Sequence, residues 1–556
     1  MNKIFDNNYY DFIISNSLVP RFDRDNVTFI NDDYSLIHIH KNNMAACDLG
    51  LYPYDNFPSL FTLTSKVSME RSGICNVRKH PHLSLMGLGV LIGFIDTGID
   101  YQHPAFKNYD GTTRILSVWD QNDQSGKPPE DFNFGSEYSK NYINTALRSN
   151  DPLSIVPTRD TNGHGTAIAS ITSGTPNENQ SFSGVVPHTE LVVVKLKEAK
   201  QNLKKLFFVP DDALCYQESD IMLGIRYLLS VAHKTDHPIV ICIALGSSQG
   251  GHGGQGAISS YLDQIVQLPK INASVAAGNE GKNRRHYFYQ TSTPPYCNGF
   301  NLKIGKNDKM FSMEIWPFPS GKILIEIFSP KRENAQSISP SSKDCQKLSL
   351  SFGQTTIWIN NILLEGSTGN QLILLRFDNP TEGIWYFRVS SIEEEPFSFH
   401  AWLPSGNLIS NETFFYKSNP DTTITAPGNA RNSLTVAAYN QFDDSILGES
   451  GRGYTRFGEI VPDIAAPGYR IPCALPGGLY GSITGTGAAA AHAAGAAAMV
   501  LEWGFCKGNY TTVTGLQINH MIMWGAYRSN AYSYPNNIWG YGQIDVYKMF
   551  QRIAAI

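Results

Sequence analysis

The feature that most constrains this chain is a set of short, unbroken apolar runs, each closed by turn residues. Val90-Leu91-Ile92-Gly93-Phe94-Ile95 leads into Asp96-Thr97-Gly98; Leu191 to Val194, Ile239 to Ile243 and Ala273 to Ala277 repeat the pattern. A strand with one wet face alternates polar and apolar residues. A strand without that alternation is buried on both faces, as in a parallel sheet. Helical spacing from Ser219 to His233 falls between two of the runs. Strand and helix signals in alternation predict a doubly wound α/β core.

The texture changes twice along the chain. The first seventy or so residues are rich in Asn and Asp, with alternating stretches such as Ser35 to His40, and read as a small α+β unit. Between Asn283 and Thr423, Met310 to Trp316, Lys322 to Ile327 and Gly383 to Val389 are aromatic and β-branched runs punctuated by Pro, Gly and Ser. That texture predicts an inserted all-β sandwich. The α/β texture returns at Asn432 to Ala438 and closes with a small-residue helix from Gly487 to Leu501. At 556 residues the chain exceeds one ordinary domain, and the expected divisions are 1–75, 76–282, 283–423 and 424–556.

Composition excludes several classes. With 42% hydrophobic and 17% charged residues, a largely disordered chain is ruled out. The 44 Lys+Arg against 49 Asp+Glu give a formal charge of −5 with no basic stripe, so no nucleic-acid partner is expected. No apolar stretch is long enough to span a membrane, and no apolar segment follows Lys3, so neither membrane association nor a signal peptide is expected. The chain is therefore expected to be cytoplasmic at synthesis. The eight cysteines are scattered without a CxxC pair, which fits a reducing compartment and suggests neither a zinc ribbon nor a disulfide framework. No DxDxDG-like loop is present, so no metal or cofactor is expected.

Four segments carry polar or glycine-rich residues at strand or helix ends: Asp96 in Phe94 to Asp100, His164 in Asn162-Gly163-His164-Gly165-Thr166, Asn279 in Ala276 to Gly281, and Gly485-Thr486-Gly487-Ala488. Ligands of open parallel sheets gather at the carboxyl ends of the strands, where these four segments can converge. Singly, each has a plainer reading: Asp96 as a turn or cap, His164 as a packed core histidine, Asn279 as a turn cap. Only the ordered set distinguishes a site. His492 reads as a packed residue, and Gly250 to Gly256 as a flexible loop, because no Lys-Ser/Thr follows as in a phosphate loop.

Together the segments resemble the subtilisin-like serine proteases, the subtilases. The resemblance places Asp96 and His164 on the catalytic Asp and His, Asn279 on the oxyanion-hole Asn, and Ala244-Leu245-Gly246 on the strand that binds substrate backbone. Pro462 to Gly468 and Gly485 to Gly495 resemble the stretches before and around the nucleophile. Met69-Glu70-x-Ser72-Gly73-Ile74, Gln249 to His252, Gly451 to Arg456 and Trp539 to Gly542 are similar to the clostridial Csp-type subtilases. That group implies an N-terminal prodomain, a jelly-roll insert and a role in spore germination. The implied partners are a protein or peptide substrate or a related subtilase, with the chain's own prodomain in the cleft.

One departure outweighs these matches. The resemblance places the nucleophilic serine at Gly487, and glycine has no hydroxyl for a histidine to activate. In subtilisin itself, loss of that serine costs about 10⁶ in kcat. Thr486, on a tight turn one residue earlier, and Ser482, five residues upstream, are poor substitutes, because a nucleophile must be placed to within about 0.5 Å. The leading expectation is a non-cleaving pseudoprotease with a regulatory or signal-sensing role. The alternatives are an active endopeptidase, processing a proenzyme or other protein, whose serine was replaced at 487, and a module whose β insert binds carbohydrate or peptide.

Overall fold

The computed structural model describes residues 3–43, 52–63, 71–318, 322–331, 338, 345–350 and 355–554. Three strands open the chain: β1 (Tyr9–Ser15), β2 (Val27–Phe29) and β3 (Tyr34–His40). They are followed by β4 (Leu60–Leu63), β5 (Leu91–Asp96), β6 (Ile115–Asp120), β7 (Ser136–Ser139), β8 (Glu190–Lys195), β9 (Tyr216–Gln217), β10 (Ile239–Ile243), β11 (Leu245–Gly246) and β12 (Ile271–Ala276).

The centre is a nine-stranded sheet in which β6, β8, β5, β10 and β12 lie side by side and parallel. Leu434–Asn440 continues the parallel order beside β12, and Ile464–Pro467 follows it; β7 and Ser445–Ile446 are antiparallel additions at the two ends. The apolar runs are unbroken because successive side chains enter two different cores. Ile92, Phe94, Val193 and Val240 pack under helices His164–Ser173 and Thr486–Leu501. Their neighbours Leu91, Ile95, Val192 and Ile241 pack under helix Glu218–Thr235 on the other face. The sheet is doubly wound, as its sequence texture predicts. Every residue of helix Thr486–Leu501 is buried, and its small side chains are what let it approach so closely. A Cβ at Gly495 would lie 2.4 Å from Val185.

Between the two stretches of this sheet stands an all-antiparallel unit. A six-stranded sheet runs His286–Thr291, Phe397–Trp402, Met310–Pro317, Leu372–Asp378, Thr355–Ile362, Gln346–Leu350, and a four-stranded sheet runs Ile323–Phe328, Gly383–Ser391, Cys297–Ile304, Phe414–Phe415. Their inner faces share one core, with Phe311, Leu375 and Phe399 from one sheet against Leu302, Ile325 and Phe387 from the other. This arrangement explains the alternation in Gly383–Ser391: Trp385, Phe387 and Val389 are buried and Ile384, Tyr386 and Arg388 are exposed.

The N-terminal sheet, in the order β1–β3–β2, is not a free appendage. Phe12, Ile37, Tyr54 and Phe57 form one cluster with Leu203, Leu206 and Phe207 of the α/β core and with Trp316 and Leu372 of the β insert. A buried charge joins the same surfaces. Asp11 accepts from Lys200 Nζ at 2.8 Å and pairs with His38 Nδ1 at 2.6 Å. No described helix is long and apolar enough to cross a membrane. Cysteine chemistry departs from the sequence reading: Cys75, Cys215, Cys242, Cys297, Cys473 and Cys506 are free, but Cys345 is disulfide-bonded. Spacing gives no sign of this, because a disulfide needs neighbours in space and not along the chain.

Candidate functional site

Asp96 ends β5 at the carboxyl edge of the sheet and is 1% exposed. His164 is the first residue of helix His164–Ser173, and its Nδ1 lies 2.7 and 2.9 Å from the two Asp96 carboxylate oxygens. The backbone N–H of Thr97 donates to Asp96 Oδ1 at 2.7 Å and fixes the carboxylate. A carboxylate on Nδ1 selects the tautomer in which Nε2 is the basic nitrogen, the arrangement a general base requires. Gly165 is needed for the approach: a Cβ there would lie 2.2 Å from the carbonyl oxygen of Gly98.

A second carboxylate, absent from the sequence reading, holds this pair in place. Asp160 is 3% exposed and accepts from Gly163 N–H and Thr166 N–H, both at 2.8 Å, and from the hydroxyls of Thr97 at 2.8 Å and Thr166 at 2.7 Å. It thus satisfies free N–H groups at the helix start while tying Thr97, next to Asp96, to the helix that carries His164. Its one trace in the sequence is an acidic residue a few positions before a Gly-His-Gly-Thr helix start, which an ordinary cap would leave as well.

Asn279 follows β12, and its side-chain oxygen accepts from both the backbone N–H and the hydroxyl of Thr486, each at 3.1 Å. A backbone N–H can only donate, so the amide orientation is fixed with oxygen toward Thr486, leaving Nδ2 as the donor for a ligand. The Thr486 hydroxyl also accepts from Gly278 N–H at 3.1 Å, so it is committed on both sides and fully buried. Ser482 is exposed in a hairpin, opposite Pro472. Gly487 is the second residue of helix Thr486–Leu501. That helix packs on the one carrying His164, with Thr172 Oγ1 donating to the Ala491 carbonyl at 2.9 Å. The structure therefore brings Asp96 and His164 into one hydrogen-bonded pair, and Asn279 and the segment Thr486-Gly487 into another.

Ala244 connects β10 to β11, and Leu245 and Gly246 form β11. β4 pairs antiparallel with β11, Leu63 opposite Leu245 and Thr62 opposite Gly246, and on its other side with β9. A segment from the N-terminal part of the chain is thus the middle strand of a three-stranded sheet, beside the strand that the resemblance assigns to substrate backbone. Met69 and Glu70, part of the Csp-type motif, lie outside the described residues.

Beside Asn279 opens a cavity of about 750 Å³, bounded by Gly246, Gly278, Thr425 and the β-insert loop 405–411. Its wall depends on a pair the sequence reading missed. Arg285 donates from Nη1 to Glu280 at 3.2 Å and to the Gly406 carbonyl at 2.7 Å, and from Nη2 to the Ile409 carbonyl at 3.0 Å. Glu280 in turn accepts from Gly406 N–H at 2.8 Å. His492 is packed, as expected, with Nε2 2.5 Å from the Ser72 hydroxyl; burial pushes its pKa down to about 3, so it is neutral near pH 7.

A family model described as the subtilase family, Peptidase S8, matches residues 87–373 and 360–542. The solved structure of the Clostridium perfringens CspB protease is similar, with TM-score 0.78 and 27% identity over 87% of this chain and 97% of that one. Among curated proteins, a subtilisin-like protease of Arabidopsis thaliana is 33% identical over 20% of this chain and 17% of its own length. A subtilisin-like serine protease of Penicillium rubens is 40% identical over 15% and 19%. A subtilisin-like protease of Coccidioides posadasii is 25% identical over 46% and 47%. The chain spans less than a fifth of the first two relatives and about half of the third.

Proposed function

The chain belongs to the subtilase family, and from that premise we propose that it is a subtilase without a nucleophile, which holds peptide segments in its cleft and regulates instead of cutting. The observation that carries this reading is Gly487. It stands where the family resemblance puts the serine, and the hydroxyl nearest in sequence, that of Thr486, is spent on Asn279 and Gly278. Acyl transfer has no atom to start from. The Asp96–His164 pair and the Asn279 donor can still polarise a bound water, which supports roughly 10³-fold acceleration over water and no useful turnover.

Two features support the binding half of the proposal. β4 lies between β11 and β9, so the cleft accepts an extended backbone by strand addition. The cavity beside Asn279 remains built, its wall clamped by Glu280 and Arg285. On this reading the N-terminal unit is a prodomain that stays covalently attached, because its release needs the missing serine. The partner would be a related subtilase or another protein, in the spore-germination setting that the Csp-type resemblance implies.

The intact Asp96–His164 bond favours a second reading, in which the scaffold is an endopeptidase awaiting only a serine at 487. A fluorophosphonate probe, which labels activated serines, tests both. The chain as it stands should take no label, and Gly487→Ser should label with a pH dependence set by His164. Stoichiometric labelling of the unmodified chain would overturn the proposal.

A further inference from the structure

The opposite end of the central sheet carries a second cavity, of about 360 Å³, that plays no part in the cleft. It is lined where strands begin: Arg114 directly precedes β6, and Glu190 is the first residue of β8. Asp96 stands at the other end of its strand, so the two sites are separated by the length of the sheet.

The cavity is basic. Arg114 is 6% exposed and donates from Nε to the Thr175 hydroxyl at 3.1 Å, from Nη1 to the Thr189 carbonyl at 2.8 Å and from Nη2 to the carbonyls of Ala105 at 2.9 Å and of Ser173. Among the described residues no carboxylate lies within salt-bridge distance of it, and Glu190 acts on it only at longer range. Lys140 is neutralised by Glu190 at 2.5 Å. Lys107 forms no ion pair among the described residues, although it is only partly exposed. Burial lowers the pKa of the Lys107 ammonium and outweighs the opposing pull of Asp100, which lies beyond salt-bridge distance; burial together with Arg114 and Arg78 lowers that of His188. Both shifts describe a place where positive charge is uncomfortable and an anion would relieve it. The rim is apolar: Leu88 is 64% exposed and Tyr109 is 87% exposed, and both line the cavity. A smaller cavity of about 220 Å³ shares Lys107 and Tyr109 and continues the groove.

We propose that this groove is a binding site for a small organic anion, a carboxylate or a phosphate monoester, with its charged group on Lys107 and its apolar body against Leu88 and Tyr109. The volume lies within the range of small-molecule sites, and a mostly apolar lining with a few placed charges is their usual composition. Three probes separate the contribution of the charged group from that of the apolar body: inorganic phosphate, phenyl phosphate and benzoate. Each is titrated calorimetrically into the full chain.

Phenyl phosphate should bind saturably and more tightly than inorganic phosphate, and benzoate should compete with it. Lys107→Gln should weaken phenyl phosphate at least about tenfold, the value of one charge-assisted hydrogen bond. Lys417→Gln, an exposed lysine of the β insert, should change nothing. The Lys107 ammonium makes no described hydrogen bond, so the variant should unfold at the same temperature as the parent when no ligand is present. Absence of saturable binding, or binding unchanged in Lys107→Gln, would overturn the proposal. Equal affinity for phenyl and inorganic phosphate would overturn the assignment of the apolar rim.

Discussion

The N-terminal unit is held to the core by a buried ion pair, and removing one half of it should loosen that unit selectively. The Asp11 and Lys200 side chains are 2% and 3% exposed at 2.8 Å. Lys200 Nζ also donates to the carbonyls of Lys3 at 2.6 Å and Tyr9 at 3.2 Å, and Asp11 Oδ2 accepts from Gln217 at 3.1 Å. Asp11→Ala therefore leaves a buried ammonium with two carbonyls and, among the described residues, no carboxylate within salt-bridge distance, Asp220 acting on it only at longer range. Breaking one side of such a pair costs about 3–5 kcal/mol. In hydrogen exchange read by mass spectrometry, amides of β1 and β3 should exchange about two to four orders of magnitude faster, while β5 and β10 keep their protection. The double variant Asp11→Ala with Lys200→Met strands neither charge of the pair and should recover part of the loss; with Lys200→Met alone it completes a double-mutant cycle. Burial raises the Asp11 pKa, but Lys200 and His38 more than offset this and hold it well below the usual carboxylate range. A folded pKa below the unfolded one contributes stability above about pH 4 and loses it only as pH falls through the folded value, so the effect should be the same at pH 6 and pH 8. A change below tenfold for Asp11→Ala, or a double variant as unstable as the single, would refute the reasoning.

Other outcomes follow from the same structure. Burial, opposed by a hydrogen bond from Thr435 N–H, raises the Asp463 pKa to about 7; its contribution is full below about pH 4 and is lost as pH rises to 7. Unfolding measured across that window should show a decline of roughly 4 kcal/mol that Asp463→Asn flattens, and an unaltered slope would exclude Asp463 as its source. Gly165→Ala puts a Cβ 2.2 Å from the Gly98 carbonyl oxygen and should destabilise by about 1–3 kcal/mol, read as a lowered melting temperature; an unchanged midpoint would contradict that close approach. Glu280→Gln removes the carboxylate from buried Arg285 and should speed proteolytic nicking within 405–411, whereas unchanged nicking would show that the clamp does not hold the loop.

What the sequence made legible were features written locally. The doubly wound sheet follows from runs such as Val90 to Ile95, whose lack of alternation mirrors two cores, one receiving Ile92 and the other Leu91. Gly-His-Gly-Thr opens a helix, and a bond of 2.7 Å joins His164 to Asp96, 68 residues earlier. What the sequence hid were relations between distant segments. The Arg285 clamp on 405–411, the seating of β4 between β11 and β9, and the burial of Asp11 against Lys200 each join segments far apart in the chain. Periodicity reports which face of an element is buried and nothing about what covers it. Asp160 escaped for a different reason: an aspartate before a helix is ordinary as a cap, and only its simultaneous bonds to Thr97 and Thr166 mark it as a positioning group for the His164 helix.

The central claim is a competent scaffold that lacks only a nucleophile, and intact mass after expression tests it most directly. The chain should be recovered at full length, and Gly487→Ser should cut itself near residues 65–85, releasing the N-terminal unit from the covalent chain. Cleavage of the unmodified chain at that junction in a pure preparation would contradict the account of Gly487, and a Gly487→Ser variant that stays whole would contradict the competence of the scaffold.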